Sequence, residues 1–459
     1  MLGGAGMRSA IICILCVLPA IARAEGDGSG SGSSAQMPPP AGDGSGSGSA
    51  TEAPAPDQNA QQTWGTLTAG QGFLVGRTRY GSLSISGYSL VRYLNQMPAG
   101  QTFKDHLGRE HDVDPRHDIF SHRIMIFFKG WLGTPKLVYQ TILWTVNSTD
   151  QKAVFSAIGY QFHRAFNLYG GLNGLPGSRT MIGSHPFWLG HDRVMADEFF
   201  RPYFTHGVWA NGEVLPGLWY AAMVGNNNSG LDITATQLTR SFAYSGSVWW
   251  MPTTGEFGPN GSFDDWEYHE HLATRFGVGG ATGKEDRFTQ TTSNTPENTT
   301  LRLADSINLF DAGSLADGVT IQTARFRMMS ADAGLKYHGI FVGAAYFQRW
   351  LDELHADGPL PVSDVVDRGF YLQAAFYPVK HKLEIYGATS WVFGDQHAGF
   401  STSYEVLGGS NWFFAPNTRN VRLNGQLIYV DRSPVSSSFG YYIGGQKGPT
   451  ASLALSLLF

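Results

Sequence analysis

The final segment of the chain alternates apolar and polar positions with a period of two. Ala451, Leu453, Leu455, Leu457 and Phe459 fall on one face, and mostly small polar residues fall on the other. A β-strand gives this pattern, because successive side chains point to opposite faces of a sheet. In a water-soluble protein such a strand would be an edge, and an exposed apolar edge invites aggregation. We therefore expect the rest of the chain to supply a partner that removes this edge.

The same alternation recurs over most of the chain. In the segment 421–429, apolar residues face one way and Arg422, Asn424 and Gln426 face the other. A polar face opposite an oily face fits a barrel with a wet interior and a lipid exterior. The pattern predicts about sixteen strands, an even number as such barrels require, which start near residues 82, 119, 135, 151, 164, 203, 216, 239, 267, 318, 334, 367, 380, 401, 418 and 448.

The predicted connections alternate between short and long. The links after the second, fourth, sixth, tenth, twelfth and fourteenth strands are short, whereas long links occupy 95–118, 175–202, 227–238, 280–317, 351–366 and 433–447. Two links depart from this rule, because 147–150 is short and 252–266 is long. The asymmetry predicts an all-β transmembrane antiparallel β-barrel over residues 63–459, with short periplasmic turns and long extracellular loops. Phe459 then lies at the periplasmic end.

The first 62 residues differ in composition from the rest. Residues 1–24 have the positive start, short apolar core and small-residue cleavage site of a secretory signal peptide. Residues 25–62 are rich in Gly, Ser and Pro, which predicts a flexible tether. Cys13 and Cys16 both lie in the signal peptide, so the mature chain would contain no cysteine, unless Cys16 is a lipid-anchor site.

Composition and charge exclude several classes of protein. The chain is 13% aromatic and only 15% charged, with 58 glycines, and it has no run of about 20 apolar residues for a membrane helix. Without Arg8 and Arg23, the mature chain has 30 basic and 37 acidic residues and a net charge of −7. An acidic chain is not expected to bind nucleic acid.

Several segments carry a resemblance to a known family. The segment 174–179, which leads to 197–202, and the run 422–431 that closes on Phe459 resemble the phosphate-selective porin O and P family. The resemblance is one of pattern and extends over most of residues 80–459. It implies a sixteen-stranded homotrimeric barrel in the bacterial outer membrane, with loops folded into the lumen. It also implies passage of small anions, with phosphate or polyphosphate as the solutes.

Charged residues of the strands are candidates for setting ion selectivity. Pore selectivity depends on lumen diameter and on rings of fixed charge. An Arg or Lys that faces lipid near the midplane would cost about 2–4 kcal/mol, which favours inward placement. The alternation of inward-facing and outward-facing positions along each strand, which we call parity, assigns six cations to the inner face, namely Arg123, Lys129, Arg325, Arg327, Lys382 and Arg422. The alternative is that these charges pair with inward acids such as Glu384 and only solvate the wall.

The long link 175–202 follows the fifth predicted strand, where general porins have an inward-folded constriction loop. Its ionisable residues are the candidates for that loop, namely Arg179, His185, His191, Asp192, Arg193, Asp197 and Glu198. Phe187 and Trp188 could anchor the loop to the barrel wall. The alternative is an external surface loop of mixed charge.

The leading hypothesis is a passive outer-membrane porin for small hydrophilic solutes or ions. A structural or adhesive barrel that acts through its external loops and conducts little is the second. A barrel enzyme is a third class that the sequence does not favour: Gly279–Lys284 resembles a phosphate loop, but Glu285 stands where Ser or Thr is needed. We predict no catalytic site, cofactor or metal, and the lipid bilayer and small solutes as partners.

Overall fold

The computed structural model describes residues 72–459 except for 148–150, 184, 230–234, 290–300, 416–417 and 437–439. The predicted signal peptide (1–24) and the predicted tether (25–62) lie outside the described residues. Almost all regular structure in the described part of the chain is β-strand.

The described residues form nineteen strands and one short α-helix. The strands are β1 (Phe73–Thr78), β2 (Gly81–Gln96), β3 (Gln101–Lys104), β4 (Glu110–Val113), β5 (His117–Leu132), β6 (Thr134–Val146), β7 (Gln151–His163), β8 (Phe166–Gly174), β9 (Phe204–Leu215), β10 (Leu218–Gly225), β11 (Ala243–Trp250), β12 (Ala273–Asp286), β13 (Ile321–Tyr337), β14 (Ile340–Ala356), β15 (Val365–Val379), β16 (Leu383–Phe393), β17 (Thr402–Phe413), β18 (Val421–Asp431) and β19 (Gly448–Leu458). The helix, α1, is Met195–Phe200, and 3₁₀ turns occupy Arg179–Met181, Ala235–Gln237, Pro259–Gly261 and Gln396–Ala398. Within the described residues, no helix has the length and apolar character needed to cross a membrane.

Sixteen strands close into one antiparallel barrel, in which β2 and β5 to β19 pair in chain order. The ring closes between β19 and β2, where Leu458 lies opposite Tyr88. At the last residue, Gly87 and Phe459 exchange two backbone hydrogen bonds of 3.0 Å. A Cβ at position 87 would lie 2.3 Å from the Phe459 ring, so any larger residue there would force that ring to move. The prediction of an all-β barrel with about sixteen strands is confirmed.

The remaining three strands form hairpins. β1 pairs with the first residues of β2, from Phe73 opposite Ile85 to Thr78 opposite Gly81. Strands β3 and β4 pair only with each other. Neither hairpin interrupts the ring of sixteen.

The two ends of the barrel differ in the length of their connections. At one end, which we call the short-turn end, Gly133 alone joins β5 to β6. At the other, the long-loop end, connections such as 175–203 and 287–320 join successive strands. Two connections depart from this rule: 251–272 between β11 and β12 is long although it belongs to the short-turn end, and 147–150 between β6 and β7 is short although it belongs to the long-loop end. The sequence indicated both departures.

The two faces of the wall differ in polarity. On β19, Leu453, Leu455 and Leu457 face outward and are 51%, 46% and 45% exposed, whereas Ala454 and Ser456 are buried on the inner face. Aromatic side chains cluster on the outer surface toward the strand ends, as in the stack of Trp391 on Tyr404. An apolar outer belt with flanking aromatic residues is the surface that a barrel presents to lipid.

Replacing the outward-facing Leu453 by arginine should destabilise the barrel by about 2–4 kcal/mol, because a mid-strand charge on the lipid face lacks water. Leu453 lies in the middle of β19, opposite Gly425 and Tyr93. Denaturant titration in lipid vesicles measures the free energy of unfolding. The control Leu453→Ile should cost less than about 1.5 kcal/mol, and equal losses in the two variants would contradict a lipid-facing belt.

Candidate lumen site

Two segments fold into the barrel from opposite ends and fill its interior. The first, which we call the lumen segment, is residues 175–203 between β8 and β9. The second, the short-turn insert, is residues 251–272 between β11 and β12. Both carry buried aromatic residues, such as Phe200 and Phe263, which are 0% and 1% exposed. The lumen segment contacts inner-facing side chains of strands around the ring, so it lies inside the barrel.

Helix α1 (Met195–Phe200) fastens the lumen segment to one side of the wall. The Met195 N–H donates to Oε1 of Glu405 on β17 at 2.6 Å. This bond satisfies one of the amide groups that the start of a helix leaves unpaired. The ring of Phe200 stacks on Phe347 of β14 with centroids 5.5 Å apart. Aromatic packing and a charge-assisted hydrogen bond therefore hold this part of the lumen segment in place.

The tip of the lumen segment, residues 185–193, reaches the neighbouring part of the wall at β2, β5 and β18. Three inner-facing side chains meet it there, and we call Arg92, Arg123 and Arg422 the arginine cluster. The carboxylate of Asp192 accepts from Nη1 of Arg92 at 2.6 Å and from Nη2 of Arg123 at 2.5 Å. The side chains of Asp192, Arg92 and Arg123 are 6%, 1% and 2% exposed, respectively. Little water screens charges in such surroundings, so the two ion pairs are strong.

Two histidines of the tip also contact the arginine cluster. Nε2 of His185 lies 3.0 Å from Nη1 of Arg123, and Nδ1 of His191 lies 2.8 Å from Nη2 of Arg422. A guanidinium group can only donate, so each of these ring nitrogens accepts and each imidazole is neutral. Burial and the neighbouring arginines accordingly hold the pKa of both histidines well below the ordinary value of 6.5.

The remaining charges of the lumen segment pair with one another. Nη2 of Arg201 lies 2.7 Å from Glu198. Arg193 lies 3.5 Å from Asp197 and 3.6 Å from Glu198. Burial raises the pKa of Asp197 to about 6, although Arg193 acts in the opposite direction. These pairs fix the shape of the segment.

The lumen segment and the short-turn insert meet inside the barrel. Nη2 of Arg179 donates to the Gly261 carbonyl at 2.8 Å, and its guanidinium lies 3.9 Å over the ring of Phe263. The Phe263 N–H donates to the carbonyl of Phe187 at 3.0 Å. The two elements therefore form one continuous obstruction.

A histidine holds the short-turn insert to the barrel. Nδ1 of His269 bonds to Asp265, and Nε2 lies 2.6 Å from Glu256. The second oxygen of Asp265 accepts the Gly339 N–H of the β13–β14 turn at 2.7 Å. Asp265 and Glu256 together raise the pKa of His269 to about 9, despite partial burial. His269 is therefore an imidazolium between two carboxylates at neutral pH.

Asp265, Glu267 and His269 bring their ligand atoms within 4.8 Å of one another, close enough to suggest a metal site. Both nitrogens of His269, however, carry protons directed at carboxylates, so the ring offers no lone pair to a metal. His271, the neighbouring histidine, lies exposed. The arrangement is that of an ion-pair clamp.

Little free volume remains between these elements. A cavity beside Asp192 and Arg193 has about 20 Å³, room for about one water molecule. A cavity of similar size lies beside Tyr88 and Arg422. Around the tip of the lumen segment, the described residues therefore leave little free volume.

The sequence-predicted site residues of the loop all lie together. Within the lumen segment, the seven candidates for the constriction loop are buried or nearly so, namely Arg179, His185, His191, Asp192, Arg193, Asp197 and Glu198. Their role in ion passage stays a prediction.

The six predicted pore-lining cations take different positions. Arg123 and Arg422 belong to the arginine cluster, and Lys129 shares the inner-face parity of Arg123 nearer the short-turn end of β5. Arg325 and Arg327 instead lie on the outer face, where they pair with Glu353 and Asp352. Lys382 lies exposed in the turn before β16, with Nζ 5.8 Å over the ring of Trp412.

Sequence reasoning missed two important wall residues. Arg92 shares the inner face of β2 with Leu90 and Leu94, so parity could have found it. Glu405 lies at an inner position of β17, but nothing in the sequence indicated that a helix would start beside it. Its role depends on the path of the lumen segment.

Comparison with known proteins gives similarity in fold. No family model matches the chain, and no curated protein matches it in sequence. OmpT of Vibrio cholerae superposes with a TM-score of 0.51 at 12% identity, over 84% of this chain and 100% of that chain. The trimer form of in-vitro folded OmpT gives 0.50 at 12% identity, over 82% of this chain and 99% of that one. An anion-selective porin from Comamonas acidovorans gives 0.50 at 13% identity, over 83% and 100%. The chain thus has the fold of outer-membrane barrels.

Deprotonation of His269 should loosen the short-turn insert. The folded pKa of about 9 exceeds the ordinary 6.5, so the stabilisation is complete below pH 6.5 and is lost as pH rises through 9. Proteolysis within residues 251–272 should therefore be faster at pH 10 than at pH 8. His269→Gln should lose this difference and His271→Gln should retain it. Equal pH responses in both variants would contradict the clamp.

Proposed function

We propose that this chain is an outer-membrane porin that passes small hydrophilic solutes or ions, and that its own segments close the pathway in the present conformation. The observation that carries the proposal is the arginine cluster. Arg92, Arg123 and Arg422 line the inner wall, and one carboxylate of an inserted segment, Asp192, faces them. Fixed charges on the inner wall are the means by which a barrel selects ions.

The arginine cluster favours anions as the solutes. Although the mature chain has an excess of acidic residues, Arg92 and Arg123 share the single carboxylate of Asp192, and Arg422 contacts the neutral His191. Guanidinium groups match the oxygen geometry of carboxylates and phosphates. The similar fold of an anion-selective porin agrees with this preference. Phosphate is the solute that the family resemblance suggests.

Location and assembly follow from the same reasoning. The apolar belt around Leu453, Leu455 and Leu457 suits the outer membrane, which a chain with a cleaved signal peptide can reach. Phe459 and the short-turn end then face the periplasm. A homotrimer is the assembly we propose, and the trimer form of OmpT, a protein of similar fold, supports it.

One observation favours a second candidate function. Inner-facing side chains such as Arg275 and Lys336 are buried, as a permanently plugged barrel would require. Such a barrel would act through its long-loop end and conduct little. Conductance separates the two functions, because a porin must have an open state. That the chain has no enzymatic activity stays a prediction, which a lipid-hydrolysis assay tests.

Deleting residues 183–195 should raise the ion conductance of the purified protein in planar bilayers severalfold. The deletion removes the tip, which lies against the arginine cluster. A folded band in unheated SDS gels verifies that the variant forms a barrel. Unchanged conductance and ion preference in a folded variant would show that this loop is not the constriction.

Neutralising the arginine cluster should reduce anion preference. In the deletion background, Arg92→Gln, Arg123→Gln and Arg422→Gln together should shift the reversal potential under a KCl gradient toward that of potassium, because fixed positive charge is lost. Arg325→Gln with Arg327→Gln is the matched control, since both side chains lie on the outer face. An equal shift in the control, or none in the triple variant, contradicts selectivity by the cluster.

A further inference from the structure

The two parts of the lumen segment are held to the wall by different kinds of interaction. At α1, the ring of Phe200 packs on Phe347, and Phe199 lies under the guanidinium of Arg349 at 4.0 Å. At the tip, Trp188 and Leu189 are buried in the core, but the contacts with the arginine cluster are polar and involve Asp192 and two histidines. Helix α1 also has a polar contact, from Met195 to Glu405, but no histidine takes part in it. Because histidine is the side chain whose ordinary pKa lies near neutral pH, the tip is the part whose attachment can change with mild acid.

The tip's histidines fit the wall only in their neutral form. His185 and His191 each accept a hydrogen bond from an arginine that has no acceptor to offer in return. Both rings are buried, with 2% and 1% of each residue exposed. A proton added to either facing nitrogen would replace a hydrogen bond by the contact of two cations in a dry site.

We propose that the tip is an acid-released latch: it holds the lumen segment against the arginine cluster at neutral pH and leaves the wall when His185 and His191 take up protons. The effect of release on conductance rests on the proposed porin function. The latch itself rests on the contacts of the tip. Asp192 keeps the closed position favourable while the imidazoles are neutral, because it pairs with two of the three arginines.

The charges around the two imidazoles determine the direction of the response. Those facing them are Tyr88 and Arg92 of β2, Arg123 of β5, Arg422 of β18, Tyr441 of the β18–β19 connection, and Asp192 and Arg193 of the tip, with the Asp264–Arg419 pair beyond Phe187. Positive charge dominates this set, so burial and the arginines both lower the pKa of the imidazoles in the closed state. Below pH 6.5, acid therefore shifts the equilibrium toward the released state. The equilibrium constant for release rises by up to about tenfold per pH unit for each histidine.

Thiol accessibility tests the latch without relying on ion flow. The chain's two cysteines, Cys13 and Cys16, lie in the predicted signal peptide, so a single introduced cysteine in the mature chain is specific. Leu189→Cys places the thiol in the tip at a position that is 3% exposed. Its labelling by a water-soluble maleimide is divided by that of Ser363→Cys, an exposed site in the β14–β15 connection, to remove the intrinsic pH dependence of the reaction.

The normalised labelling of Leu189→Cys should rise by about 100-fold at most between pH 7.5 and 5.5, the limit for two coupled protons. His185→Gln with His191→Gln should abolish the rise, because a glutamine carbonyl accepts from arginine at any pH. His355→Gln with His397→Gln should leave it unchanged, because both residues are exposed, His355 near the end of β14 and His397 in the β16–β17 connection. Constant labelling of the parent protein, or an equal rise in the first double variant, overturns the latch.

Conductance measured in parallel separates this proposal from the porin function. Acid-dependent labelling without current would support the latch and contradict the porin. Current through the 183–195 deletion, with labelling that does not respond to acid in the intact chain, would support the porin and contradict the latch.

Discussion

Backbone pairing is the constraint on which the rest of the structure depends, because a strand in lipid has no water to satisfy its amide and carbonyl groups. The pairing of β19 with β2 completes the ring and leaves no open edge between them. A closed ring of sixteen strands has a fixed width, so its interior must hold either water or protein. In this chain the lumen segment and the short-turn insert occupy that space.

The lumen segment also provides partners for charged residues of the inner wall. Arg349 pairs with Asp367 at 2.6 Å within the wall, whereas Arg92 and Arg123 depend on Asp192 from the lumen segment. Burying such pairs adds little net stability, but losing one partner leaves an isolated charge, which is costly. The ion pairs therefore act mainly to specify where the tip lies. Aromatic packing and the hydrogen bond from Met195 to Glu405 hold the segment at α1.

Much of the wall could be predicted, and the failures have identifiable causes. Fourteen of the sixteen predicted strand starts fell within four residues of those observed, and the starts of β12 and β14 were six residues too early. Alternation with a period of two is a local property of the chain, so the sequence shows it. The alternation misplaced Arg325 and Arg327 because their apolar neighbours Phe326 and Met328 face the filled lumen, where both are buried in the core, and do not face lipid. Lys382 precedes the first residue of β16, where strand parity no longer applies. The sequence correctly predicted that Arg123 and Arg422 face the lumen. It did not predict their partners, Asp192 and His191 of the lumen segment.

The sequence by itself determined the barrel, its strand number, the asymmetry of its ends and the presence of long segments at 175–202 and 252–266. These features depend on residues that are near neighbours in the chain. Only the tertiary structure decided that the short-turn insert enters the lumen, and that Asp192 meets Arg92, a residue 100 positions away. Such contacts exist because ring closure brings β2, β5 and β18 into one wall, and no local pattern records which segment will face it.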